Sequence, residues 1–172
     1  FRLRVAGRSL DVWRNLVPPL QAITVPSELC LAAAVLAVSA FDESSVGACM
    51  VVCFRALLGA SEALSLVWRN VVDCGSHFVF ILGRAKRGLE QEAVLTDPVA
   101  VKIFRSFMTP CSSVDGEQRV FDLSYSRLQR GLRKCFSLIG VEGHWSSHGF
   151  RRGEATALLQ ASDPLPTIAI LG

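Results

Sequence analysis

The densest chemistry in this 172-residue chain sits at Ser147-His148-Gly149-Phe150-Arg151-Arg152. His148 and Arg151 are three apart where a helix should begin, so both side chains fall on one face. An imidazole that can hold or release a proton, beside a fixed guanidinium at the positive end of a helix, suits a phosphate group. Lys86 is the second candidate, near the tip of a polar turn with Arg84 and Arg87 beside it. The basic residues share a bias. Of 18, only Lys86, Lys102 and Lys134 are lysine, and the rest are arginines. The arginine fork matches pairs of phosphate oxygens better than the lysine point charge does. The net charge of +3 is too small to specify a polyanionic partner alone. Cys49 and Cys53 have no second close pair or histidine at zinc spacing, so no metal is expected. The six cysteines read mainly as small buried hydrophobes in a reducing compartment.

Positioning these groups requires a packed core, and the composition provides one. Hydrophobic residues make up 51% and charged residues 19%, with mean hydropathy +0.39. Such a chain is neither disordered nor low-complexity, and its length fits one domain. The longest apolar run, Leu29 to Phe41, is closed by Asp42 and Glu43, and the next, Val46 to Leu58, contains Arg55. Both are short of the roughly 20 residues a membrane span needs and read as buried core helices. No secretory signal is evident at the start, so the expectation is a soluble intracellular protein.

The order of elements follows from period and punctuation. Residues 1–19, with Arg2, Arg4, Arg8 and Arg14 before Pro18-Pro19, read as the end of a preceding helical region and a linker. Ser27 should cap a helix that runs to about Phe41. A second helix is expected over about 46–58 and a third over Ser61–Trp68. Residues 78–82 and 92–96 then read as two strand-like runs flanking a polar, Gly-bearing connection, which is a hairpin signal. Asp97-Pro98 should open a helix to about Met108, and residues 109–120 read as a polar loop. Another helix should start near Ser124, with Leu128, Leu132, Cys135 and Phe136 inward and Arg127, Arg130, Arg133 and Lys134 outward. After a loop over 140–146, residues 148–161 form the helix of His148 and Arg151. Pro164 and Pro166 break it before a short apolar helix, TIAIL. The fold class is α+β, mainly α-helical, with helices packed around a small antiparallel sheet or hairpin.

Three of these segments, in this order, resemble the catalytic domain of the tyrosine recombinase (phage integrase) family. SSHGFRRGEATALL resembles the family's buried helix opened by His-x-x-Arg. LLGASEALSLVWRNVV resembles the helix that begins with a catalytic arginine and leads through Glu-x-Leu-x-Leu-x-Trp into a first strand. The hairpin with Lys86 matches the one that carries the family's lysine. The resemblance covers residues 20–172 and implies a recombinase-like catalytic domain there, with double-stranded DNA as partner; whether protomers form a homo-oligomer on DNA is left open. It implies no metal, nucleotide or small-molecule cofactor, and no membrane; the protein would reside with the DNA, in nucleus or nucleoid.

In that family a tyrosine attacks the scissile phosphate and becomes joined to its 3′ side. Two arginines hold the phosphate oxygens, a lysine protonates the departing 5′ oxygen, and a histidine assists proton transfer. Residue by residue, the resemblance makes Lys86 the lysine, His148 the histidine and Arg151 the second arginine. The departures are specific. Gly59 stands where the first arginine belongs, with Arg55 one turn earlier as the only nearby substitute. Glu154 stands where a small residue is usual. Tyr125, the sole tyrosine, precedes His148 rather than following it, and reads as a packing residue in or beside its helix. The chain opens on Phe1 rather than Met and stops on an apolar Ile-Leu-Gly, so both ends read as cuts in a longer protein; by the resemblance, the family's next His or Trp would fall about two residues past Gly172 and its tyrosine some nine residues later. The expected function is DNA strand breaking and rejoining, with this chain inactive as given. The alternatives are a DNA-binding module of the same fold without catalysis, and an unrelated helical protein-interaction domain. His77 and His144 carry no assignment, and Trp13, Trp68 and Trp145 read as packing residues.

Overall fold

A computed structural model describes residues 24–84, 90–109, 115–141, 143 and 147–160, with backbone only at Arg84, Glu90, Ser147, His148, Leu159 and Gln160. The described elements are α1 (Ser27–Ser39), α2 (Ser44–Arg55), α3 (Ala60–Ser65), a 3₁₀ turn (Trp68–Asn70), β1 (Val71–Asp73), β2 (Phe78–Arg84), β3 (Glu90–Leu95), α4 (Pro98–Met108), α5 (Tyr125–Ile139) and α6 (Ser147–Gln160). This is the helical α+β arrangement expected. The preceding region, Lys86, the TIAIL segment, Cys111, His144, Trp13 and Trp145 lie outside the described residues.

Helix α2 is the axis of the fold because it is apolar all round. Every residue from Val46 to Phe54 is buried, and α2 touches α1, α3, α4, α5 and α6. A helix with no polar face must be covered on all sides. Small residues let its neighbours approach closely. A Cβ at Gly47 would lie 2.7 Å from the Ala34 carbonyl oxygen on α1, and one at Gly131 of α5 would lie 2.8 Å from Val46 Cγ1. The α2 helix stops at Arg55, three residues before the expected end. Leu57 takes the left-handed conformation (φ 55°), which cannot continue a right-handed helix.

The sheet is antiparallel in the order β1-β2-β3. Phe78 pairs with Leu95 and Phe80 with Ala93, and these four alternate positions are the buried ones. That face packs on Phe104 of α4, whose ring sits edge-on to Phe78 (5.0 Å) and Phe80 (5.5 Å). Phe107 of α4 stacks on Trp68 and on Phe121, which closes the cluster. Trp68 is thus a packing residue, as expected. Strand β1 follows α3 where the resemblance, rather than any alternation in the residues, called for a first strand.

Caps fix the helix starts. Asp97 Oδ1 accepts from Ala100 N (2.8 Å) with Pro98 in the first turn, and Ser124 Oγ accepts from Arg127 N (3.2 Å), both as the sequence pattern requires. Gly140 ends α5 in the left-handed conformation (φ 76°), which glycine reaches without steric cost. Ser27 departs from expectation. Pro26 occupies the cap position of α1, and the Ser27 hydroxyl instead accepts from Arg55. Helix α3 is also shorter than expected, because Leu66 turns extended and donates its N–H to Ala63. The following chain is held by the loop after α4, with Trp68 N–H donating to Gln118 O and Val120 N–H to Leu66 O. Four described cysteines, Cys30, Cys49, Cys53 and Cys135, are buried, and Cys74 is exposed. Burial pushes the Cys30 thiol well above its usual range, and a hydrogen bond to Cys53 does so for Cys49.

Candidate nucleic-acid interface

Helix α6 divides into a pinned side and an open one. Gly149, Phe150, Gly153 and Glu154 are buried, whereas Arg151 and Arg152 are exposed. The buried side is held at three places. Val25 N–H donates to Gly149 O (3.2 Å). The Phe150 ring meets Phe54 of α2 edge-on at 6.5 Å. Gly153 passes so close to the segment before α1 that a Cβ there would lie 2.0 Å from Val25 O. Arg151 therefore leaves the second turn of a helix whose buried side is seated on the core. His148 lies one turn before Arg151 on the same helix, with its side chain outside the described atoms, as is Lys86 altogether.

The Glu154 carboxylate is the polar member of the pinned side, only 7% exposed. Both its oxygens accept from Arg55 Nη1, at 3.2 and 3.1 Å. Arg55 Nη2 donates to Ser27 Oγ at 2.7 Å and lies 3.6 Å from Asp97 Oδ2. The guanidinium also rests against the Phe54 ring, 5.4 Å from its centroid. One arginine thus joins α1, α2, the cap of α4 and α6. Burial pushes the Glu154 carboxyl above its ordinary value, and the Arg55 charge opposes that shift. Both terminal nitrogens of Arg55 are held by these acceptors and its Nε is buried without a partner, so the guanidinium is directed at Glu154 and Ser27 rather than toward position 59.

Gly59 itself caps α3 with ordinary dihedrals (φ −67°, ψ 149°). Its N–H donates to Glu62 Oε2 at 2.6 Å. The nearest atom to a Cβ built there is that same carboxylate oxygen, at 3.0 Å. Glycine is therefore not demanded by the backbone, and its effect is only to remove a side chain.

A second basic surface lies on α5. Its polar side splits in two. Arg127 Nε sits 3.4 Å from Glu43 Oε2, and Lys134 Nζ lies 3.7 Å from the Phe41 ring centroid, so both face the α1–α2 corner. Arg130 and Arg133 instead line a groove of about 390 Å³ with Tyr125, Ser126 and Gln129. Tyr125 is half exposed, and its hydroxyl accepts from Gln129 Nε2 at 3.1 Å. It lies beside its own helix rather than in the core. The engaged pair Arg55–Glu154 and this groove are what pattern reading missed. A buried acid opposite a late-helix arginine, 99 residues apart, leaves no local signal.

The model of the phage integrase family matches residues 34–172. The chain belongs to that family. Solved integrase-fold structures agree with the assignment. The chain is similar to XerA recombinase at 18% identity with a TM-score of 0.68, covering 92% of this chain and 58% of that one. It is similar to XerH site-specific recombinase, solved bound to its difH substrate before cleavage, at 12% identity with a TM-score of 0.68, covering 88% of this chain and 48% of that one. The chain thus spans about half the length of these recombinases. No curated protein sequence matches it. The integrase match includes Gly59, Lys86, His148 and Arg151. No helix among the described residues is long and apolar enough to cross a membrane, and no cluster among them has the makings of a metal site.

Proposed function

We propose that this chain is the phosphate-gripping part of a tyrosine-recombinase-type DNA strand breaking and rejoining protein. Double-stranded DNA is its partner, engaged wherever the cell holds its DNA. Arg151 binds non-bridging oxygens of the scissile phosphate, His148 assists proton transfer beside it, and Lys86 protonates the departing 5′ oxygen. Charge and position carry this chemistry, so it needs neither metal nor nucleotide. The observation that supports the reading most is the exposed Arg151 on the second turn of α6, opposite a buried stripe, within a chain of the phage integrase family. The groove of Arg130 and Arg133 adds a surface suited to backbone phosphates without sequence readout.

A second reading has its own support at Gly59. Without a guanidinium there, one transition-state contact is missing, and such a loss costs about 10²–10³ in rate. Arg55, held by Glu154, does not compensate. The domain then binds DNA and does not cleave it. The two readings part on a nicked duplex incubated with the full-length protein. A covalent protein–DNA adduct establishes strand cleavage. Salt-sensitive binding without an adduct establishes the binding module. Absence of salt-sensitive binding overturns both.

A further inference from the structure

We infer that Arg55 and Glu154 are positioning residues, a buried clasp that sets how α6 presents Arg151 to a DNA phosphate. The inference rests on the proposed phosphate-binding role of Arg151 and goes beyond it, because neither clasp residue touches DNA in this account.

The geometry argues for a clasp rather than a hidden phosphate ligand. Arg55 is 18% exposed on its side chain. It serves two carboxylates, Glu154 and Asp97, and one hydroxyl, Ser27. The local balance is one cation against two anions, which repels a phosphate. Glu154 lies three residues after Arg151, less than one helical turn, so a shift at one is transmitted along a stiff rod to the other. The apolar pins do not supply the same control. Phe150 against Phe54 and Gly153 against Val25 set the distance of α6 from the core. The Val25–Gly149 hydrogen bond fixes only the start of the helix, and a ring contact tolerates sliding, whereas two charge-assisted hydrogen bonds from one guanidinium nitrogen fix direction beyond Arg151 as well.

Glu154→Gln keeps the shape and removes the charge. Asp97, already 3.6 Å from the guanidinium, then becomes the dominant anion and draws Arg55 toward α4. The clasp opens on its α6 side while the fold keeps its volume.

The experiment is a double-mutant cycle read by binding. The full chain and its variants are titrated onto a fluorescein-labelled duplex of about 30 base pairs, well below their melting temperatures, across a series of salt concentrations. In the parent, Arg151→Ala should weaken binding about 5-fold and reduce the slope of log Kd against log salt by about 0.9, one phosphate contact. In the Glu154→Gln background the same substitution should cost less than about 2-fold, because Arg151 is already displaced. Arg55→Lys keeps the charge and loses the planar fork, and should likewise shrink the effect of Arg151→Ala. It serves as the deciding background should Glu154→Gln fail to fold. An effect of Arg151→Ala that is equal in parent and clasp backgrounds overturns the clasp and leaves the phosphate role of Arg151 standing. No effect of Arg151→Ala even in the parent overturns that role and the clasp with it.

Discussion

Arg55, the last residue of α2, and Glu154, on the second turn of α6, meet through two hydrogen bonds of 3.1–3.2 Å in a part-buried site where four helices converge. Each residue taken alone is a departure from its surroundings: an arginine closing an otherwise apolar helix, and a carboxylate on the buried side of another. Together they account for one another. A buried ion pair adds little net stability over an apolar pair, since desolvation offsets most of the attraction. It does specify geometry, and it makes the loss of either partner costly.

That asymmetry predicts a pH signature. Arg55→Met should cost about 3–5 kcal/mol at neutral pH, because it leaves a buried carboxylate without its cation. Burial already raises the Glu154 carboxyl, and losing Arg55 raises it further. A carboxyl with a raised folded-state pKa holds its proton more tightly in the fold. Its stabilising contribution is complete below the ordinary carboxylate value of about 4.3 and is lost as pH rises through the raised one. The melting temperature of Arg55→Met should therefore recover as pH falls toward the ordinary carboxylate range, more than that of the parent. Equal pH profiles for the two proteins would remove Glu154 as the titrating group.

Gly59→Arg tests the missing contact directly. The backbone at 59 is ordinary, and only the mobile end of Glu62 must move aside. Stability should change by less than about 1 kcal/mol, while duplex affinity should rise about tenfold if the new guanidinium reaches a phosphate. Calorimetry and anisotropy titration separate the two. A large loss of stability would show that packing around α3 does require glycine.

Gly153→Ala addresses the seat of α6. Its Cβ would meet Val25 O at 2.0 Å and Phe54 Cε2 at 2.8 Å, with backbone and a buried ring unable to yield cheaply. The expected cost is about 3 kcal/mol, or a melting temperature lower by about 6–12 °C. DNA binding should fall in parallel. An unchanged melt would mean that α6 does not seat on Val25.

The divided face of α5 predicts unequal arginines. Arg130→Ala and Arg133→Ala should each lower the salt slope by about 0.9 if their groove follows the DNA backbone, with stability within about 0.5 kcal/mol. Arg127→Ala, whose partner is Glu43, should leave the slope unchanged. Slopes equal to the parent's for all three variants would assign the basic face to solvent alone, and an equal reduction in all three would overturn the division of the face.

Much of the architecture was legible in the residues themselves. The caps at Asp97 and Ser124, the inward stripe of Leu128, Leu132, Cys135 and Phe136, and the strand-like runs at 78–82 and 92–96 are local patterns, each written within a turn or a strand of chain. Local physics dictates them, so sequence reading finds them. The order of the recombinase-like segments was legible for the same reason, because motif and spacing are one-dimensional. Ends were less so. Leu57 in a left-handed conformation and Leu66 turning extended cut α2 and α3 short, and leucine carries no breaker signal.

What the fold alone decided is who partners whom across long separations. Ser27 looked like a cap and is an acceptor for Arg55. Arg55, in sequence only the arginine one turn before Gly59, is held by a residue 99 positions away. The four basic residues of α5 looked alike and are sorted by what lies opposite them: Phe41 and Glu43 on one side, an open groove on the other. Sequence spacing fixes which residues share a helix face. A charge's role depends on which distant charge the packed core brings within about 4 Å, and only the three-dimensional packing determines that distance.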